Sequence, residues 1–97
     1  MSISQFRFNR RRKHPSYVFN EKDNKYQSLI ITHSPVTRKK NNIRLYKNPN
    51  NNDSSTSYIV PKIVSDNKSS YNKPYKNWNF DKNDKRKIKR LIKRKWV

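Results

Sequence analysis

The sequence predicts a small, mainly β domain closed by a C-terminal α-helix. Leu29-Ile30-Ile31 is the one place where three strongly apolar residues run consecutively. A short β-branched run bounded by polar segments suits a strand buried on both faces. Two further runs, Tyr17-Val18-Phe19 and Ser57 to Val64, combine aromatic and β-branched residues in the same way. From Asp81 the apolar period lengthens. Ile88, Leu91, Ile92 and Trp96 fall at i, i+3, i+4 and i+8, one stripe on a helix whose other faces are Lys and Arg.

Taken in order, residues 1–13 are expected to form a basic flexible arm ahead of a single domain over residues 14–97. Phe6 and Phe8 alternate about Arg7, which suits a short edge strand. The run Arg10, Arg11, Arg12 and Lys13 either tracks phosphates or stays a disordered cationic tail. Pro15 biases His14 towards extended backbone, so the first strand lies around Tyr17 to Phe19. The polar segment Asn20 to Lys25 turns the chain back. Tyr26 to Ser34 is then an antiparallel partner in a hairpin with a longer loop, stopped by Pro35.

Val36 to Asn42 is expected to be an exposed loop, with Arg38, Lys39 and Lys40 available to a phosphate backbone. Ile43 and Leu45 alternate with Arg44 and Tyr46, as in a half-buried strand. Asn48 to Thr56 has the composition of a flexible connector. Ser57 to Val64 resumes as a strand interrupted or edged by Pro61. Tyr75, Trp78 and Phe80 either stack nucleobases or pack the helix onto the sheet, and the shortage of aliphatics favours packing. The helix covers about residues 81–96, with Asp81 as N-cap and Asp84 placed as a capping-box acid.

Composition bounds the function. Apolar residues make up 30% of 97 residues, against roughly 45–50% with Gly counted in ordinary domains, so the core must be thin and rich in its 12 aromatics. Gly is absent and Asn occurs 14 times, so Asn is expected to do the turning that Gly would do. The net charge of +19 divides as +5 over residues 1–13, +6 over 14–81 and +8 over 82–97. Self-repulsion on that scale is relieved by a polyanion that releases its counterions, so the expected partner is nucleic acid. The candidate contacts are Arg10, Arg11, Arg12, Lys13, Arg38, Lys39, Lys40, Lys85, Arg86, Lys89, Arg90 and Lys93.

Without Cys and with two His, neither disulfides nor a dedicated metal site is expected, and no cofactor is implied. No stretch approaches the roughly 18 apolar residues of a membrane span, and residues 1–13 lack the apolar region of a secretory signal. The expected setting is cytoplasmic, without a membrane partner.

Several pieces stand in a recognisable order: Lys13-His14-Pro15-Ser16-Tyr17-Val18, then Leu29-Ile30-Ile31-Thr32-His33-Ser34, then Ser57-Tyr58-Ile59-Val60 through Ile63 to Asp66-Asn67-Lys68, and finally Phe80-Asp81 through Ile92. Over residues 13–94 this order resembles the MazF/PemK-like family, small SH3-like β-barrels of toxin–antitoxin systems that cleave RNA. The resemblance implies an SH3-like barrel and RNA rather than DNA as partner. It also implies a homodimer and control by an acidic protein partner, as in a toxin carried by a mobile element.

Family roles pass to this chain only where residues match. Thr32 stands where relatives end their second motif in Thr. His14 stands where they place Arg before Pro, a departure bearing directly on activity. Metal-independent RNA cleavage needs a base for the 2′-OH, an acid for the leaving 5′ oxygen and cationic donors. His14 and His33 are the two imidazoles, Thr32 is a positioning donor, and Arg38 or Lys40 can meet the phosphate. The leading expectation is an RNA-binding protein. The alternatives are a metal-independent endoribonuclease toxin and a structural component of a nucleoprotein assembly.

Overall fold

The computed structural model describes residues Ser2–Trp96, with side chains for residues 3–95. Alternating apolar residues make long strands early in the chain: β1 (Ser2–Asn9), β2 (His14–Lys22) and β3 (Lys25–Thr32). Three two-residue strands follow, β4 (Val36–Thr37), β5 (Lys40–Asn41) and β6 (Ile43–Arg44). Next come β7 (Tyr58–Asn67), a 3-10 turn over Lys68–Ser70, and the helix α1 (Lys82–Trp96). The main sheet has the order β1-β2-β3-β7-β6 with every neighbour antiparallel, and β4 pairs β5 in a separate hairpin. The expected mainly β chain with a C-terminal helix is what forms, and Leu29 to Ile31 lies on its central strand.

The expected flexible arm is corrected. Residues 2–9 form edge strand β1, because Phe6 points into the core at 7% exposure while backbone pairs such as Phe6 with Tyr17 hold the strand to β2. The outer edge of β1 is also covered. Ser70 to Tyr75 runs beside it through bonds from the N–H groups of Arg10 to Ser70 O (2.8 Å), Asn72 to Phe8 O (2.9 Å) and Tyr75 to Phe6 O (2.7 Å). An irregular segment thus blunts the strand edge, and among the described residues no ladder joins β1 to β6.

With Gly absent, the left-handed backbone falls on Lys13, Asp23, Asn24, Arg38, Lys39 and Asn77. Asp23 and Asn24, with φ of 51° and 63°, form a two-residue turn closed by Lys22 opposite Lys25. Two positive φ values match the twist of a tight hairpin, so the connection is shorter than the predicted loop. Asn is therefore not the sole substitute for Gly. Lys13, Arg38 and Lys39 hold the same conformation and carry cationic side chains at turn tips. On β7, the partners Leu29 with Ile63 and Ile31 with Ile59 leave Val60, Pro61 and Lys62 opposite Ile30. Pro61 has no N–H to offer the ladder, and the strand bulges there.

The two faces of the sheet differ. One face carries Phe6, Phe19, Leu29, Ile31 and Ile59 and packs against Leu45, Ile88 and Leu91. Trp78 and Phe80 close its margin, with Tyr75 stacked on Trp78 at 4.1 Å and 8°, and Phe80 edge-on to Phe6 (4.9 Å) and Tyr17 (4.8 Å). The aromatic segment therefore packs. The other face has a small cluster of Val18, Tyr26 and Tyr71, with Ser28 Oγ and Tyr71 Oη 2.8 Å apart.

Beside that cluster lies Asp66, whose side chain is fully buried. It accepts bonds from Asn9 Nδ2 (2.9 Å), Arg11 Nη1 (3.0 Å) and Arg12 Nε (3.0 Å). Arg11 and Arg12, candidate phosphate contacts in the sequence, hold this carboxylate while their side chains stay exposed, so the basic run is part of the fold. Asn9 Oδ1 in turn accepts the Arg12 N–H at 3.0 Å and shapes the turn. Burial would raise the Asp66 carboxyl. The hydrogen bonds of Arg12 and Asn9, with the charges of both arginines, outweigh it and hold the group below its ordinary value.

A carboxyl lowered in the folded state contributes stability above its unfolded pKa, about 3.9, and loses it as pH falls through the folded value. Asp66→Asn is expected to lower stability at pH 7 by about 1–3 kcal/mol. It should also flatten the loss of stability between about pH 4 and pH 2. Urea melts of both proteins across that range check both effects.

Candidate nucleic-acid interface

Helix α1 sorts its charges by face. Asp84, Ile88 and Leu91 are buried and Ile92 is half-buried, while Lys82, Lys85, Arg86, Lys87, Lys89, Arg90, Lys93, Arg94 and Lys95 are exposed. The predicted stripe is present through Ile92. The Trp96 side chain lies outside the described residues. Asp81 caps the helix as expected, its Oδ2 accepting the Asn83 N–H at 3.0 Å.

The capping-box role of Asp84 is corrected. Its carboxylate accepts the N–H groups of Tyr46 (2.8 Å) and Lys47 (3.0 Å), because the first turn of α1 faces that segment. Lys87 Nζ stands 3.7 Å away. The helix's one acid is thus turned inward, and the outer face carries no negative charge.

The second cationic element is the β4–β5 hairpin, whose tip is Arg38 and Lys39 in left-handed conformation with Lys40 exposed beside them. Its base is fastened by Asn42, whose N–H bonds Pro35 O (2.8 Å) and whose Nδ2 donates to Ser34 O (2.9 Å) and Thr37 Oγ1 (2.8 Å). Of the first basic run, Arg10 donates to Asn72 Oδ1 and Ser69 O, Arg11 and Arg12 hold Asp66, and Lys13 is exposed at a turn.

His14, Thr32 and His33, separated by up to 19 positions, line one concavity of about 210 Å³ together with Asp53, Ser57 and Trp78. The register explains the meeting: Ser16 opposite Ile30 carries the start of β2 to the end of β3. Thr32 is buried, and its Oγ1 accepts the Ser34 N–H at 3.2 Å. His33 Nδ1 lies 3.1 Å from Thr56 O. The same ring nitrogen lies 3.3 Å from Ser55 Oγ. The His33 Nε2 faces Asp53 Oδ2 at 3.7 Å. Ser55 is the main cause of a lowered Asp53 carboxyl, through its hydroxyl (2.6 Å) and N–H (2.9 Å).

The predicted connector Asn48 to Thr56 is therefore a wall of this concavity. Asn48 Oδ1 accepts the Asn50 N–H (3.0 Å), Asn50 Oδ1 the Asn52 N–H (3.1 Å) and Asp53 Oδ1 the Ser55 N–H, a chain of Asx turns that shapes the loop from within. Asn79 N–H to Pro49 O (3.1 Å) and Asn51 Nδ2 to Asn77 O (3.1 Å) lash it to the aromatic segment. The Asx-rich run Asn48, Asn50, Asn51, Asn52 and Asp53 was the available signal. Among the described residues no three His, Cys, Asp or Glu gather as a metal site, and no helix is long and apolar enough to cross a membrane.

Comparison with protein-family models, curated proteins and solved structures gives no match.

Asp84→Ala removes the acceptor of two backbone N–H groups. It is expected to cost roughly 2–4 kcal/mol by urea denaturation, and Asp84→Asn, which keeps one acceptor oxygen, about half as much.

Proposed function

We propose that the protein binds single-stranded RNA, with the outer face of α1 and the tip of the β4–β5 hairpin on the phosphate backbone. The observation that carries this reading is the inward turn of Asp84, which leaves nine exposed Lys and Arg on one helix with no exposed acid within it. Placed along a polyanion, such a face gains entropy by releasing condensed counterions. RNA is favoured over DNA by the resemblance to the MazF/PemK-like barrels.

Affinity for a labelled RNA decamer should fall with salt, log K against log salt having a slope of about −0.7 for each phosphate neutralised. Arg86→Gln, Lys89→Gln and Lys93→Gln together should reduce that slope by about 2, since each removes one such contact. Arg12→Gln should lower stability while leaving the slope unchanged, because Arg12 is committed to Asp66. A salt-independent affinity overturns the reading.

One observation favours a second reading, a metal-independent endoribonuclease of the same family type: His14, Thr32 and His33 share a concavity. One imidazole would take the 2′-OH proton and the other would protonate the leaving 5′ oxygen, with Arg38 or Lys40 on the phosphate. On this reading wild-type protein cleaves an RNA oligonucleotide, a 2′-deoxy copy is left intact, and His33→Ala abolishes cleavage while preserving binding. Intact RNA after prolonged incubation with the wild type eliminates the enzyme reading and leaves the binder.

A further inference from the structure

The concavity beside His33 holds a feature that neither phosphate binding nor cleavage explains. Ser57 is 1% exposed, lines the cavity, and has an Oγ with no hydrogen-bond partner. A hydroxyl buried in that state costs about 1–3 kcal/mol unless something entering the cavity bonds to it. Its backbone is fixed, since Ser57 O accepts the Leu45 N–H at 3.0 Å. The lining also includes Trp78, whose indole is stacked on Tyr75.

The cavity's character selects an occupant. About 210 Å³ is below the roughly 300–1,000 Å³ of sites for drug-sized ligands and suits a single heterocycle. The accessible walls are mostly apolar, which suits a ring face and disfavours an anion. Asp53, on the same lining, repels phosphate and accepts ring N–H donors. The cations stand outside the cavity. Lys13 precedes the lining residue His14, and the basic hairpin is tied by Asn42 to Ser34, also on the lining. Charge thus places phosphates outside and an uncharged ring within.

We propose that this cavity receives one unstacked nucleobase of single-stranded RNA, with the Trp78 indole bearing on its ring and the Ser57 hydroxyl, buried in the free protein, turning about χ1 into the cavity to read the base edge. The proposal rests on the RNA-binding reading and gives it base selectivity. Ser57 is a specificity residue that the sequence presents only as the first position of a strand.

The test uses two probes on the full chain. The first is a set of labelled rA, rC, rG and rU octamers, with an octamer abasic at every position as control. The wild type is expected to separate the best and worst homopolymers by at least about 5-fold and to bind the abasic octamer at least about 5-fold more weakly than the best, the range of a base–aromatic stack. Ser57→Ala should collapse the separation among homopolymers, keep the salt slope, and melt no lower than the wild type, since the hydroxyl has no partner within the fold. Trp78→Phe should weaken all base-bearing octamers and leave the abasic one unchanged. The second probe is the uncharged nucleosides, expected to quench Trp78 fluorescence in a Trp96→Phe background and to shift the His33 ring protons. Oligonucleotide binding with a normal salt slope, blind to base and to abasic sites, overturns the cavity proposal and leaves the RNA reading standing. Nucleoside shifts without oligonucleotide binding overturn the RNA reading and support the cavity. Unmoved signals with nucleosides, together with unchanged homopolymer preference in Ser57→Ala, also overturn it.

Discussion

The buried Asp66 carboxylate is the interaction on which the sheet's shape depends. It belongs to β7, which is separated from β1 by two intervening strands, yet it bonds Asn9, Arg11 and Arg12 of the β1–β2 turn at about hydrogen-bond length. Flat strands three places apart would stand about 14 Å from one another. The sheet must therefore curl until its corners meet, and a fully buried carboxylate with two guanidiniums and an amide fastens them. The curl allows Ser70 to Tyr75 to lie along β1 and brings the aromatic segment over the margin of the core. Only the carboxylate is buried, the Arg11 and Arg12 side chains staying 67% and 38% exposed, so the desolvation cost falls mainly on Asp66 and is offset by its three donors.

The same economy with acid shapes the surface. The chain has six carboxylates, and five have defined duties: Asp66 at the sheet corner, Asp84 beneath the helix, Asp81 at its cap, Asp53 beside His33, and Glu21 with Lys68 at 3.0 Å. Little negative charge is left to interleave with the exposed lysines and arginines. The fold nonetheless has a radius of gyration of 12.5 Å, close to the ~13 Å of an ordinary 100-residue domain. Local neutralisation where the chain crosses itself, with repulsion directed outward, reconciles +19 with that size.

Legibility in the sequence followed the range of the interactions. Leu29 to Thr32 and the stripe of Ile88, Leu91 and Ile92 were evident because burial imposes its period on neighbouring residues. The β1–β2 turn was misjudged because the counter-ion of Arg11 and Arg12 lies more than 50 residues away, and without it a basic run resembles a tail. Asp84 occupies the position of a capping-box acid, and only the approach of Tyr46 and Lys47 reveals its other partner. His14, Thr32 and His33 were named from the sequence and do share a cavity, but Ser57, Asp53 and Trp78 were not assigned to it. Those three come from a loop, a strand start and an aromatic segment whose meeting depends on the curl. His33 also carries a local tether to Thr56 and Asp53 that resembles a structural histidine as much as a catalytic one.

The basic residues form two populations, those bonded within the fold and those exposed on α1 and at the β4–β5 tip, which the proposed RNA contact would use. The most direct measurement is amide and side-chain NMR of the protein titrated with a single-stranded RNA octamer. The account predicts shifts at the outer positions of α1, at Arg38 and Lys39, and around Ser57 and Trp78, with Arg11, Arg12 and Asn9 unmoved. Shifts centred on the Arg11–Arg12 turn with α1 unaffected, or no shifts at low salt, would contradict it.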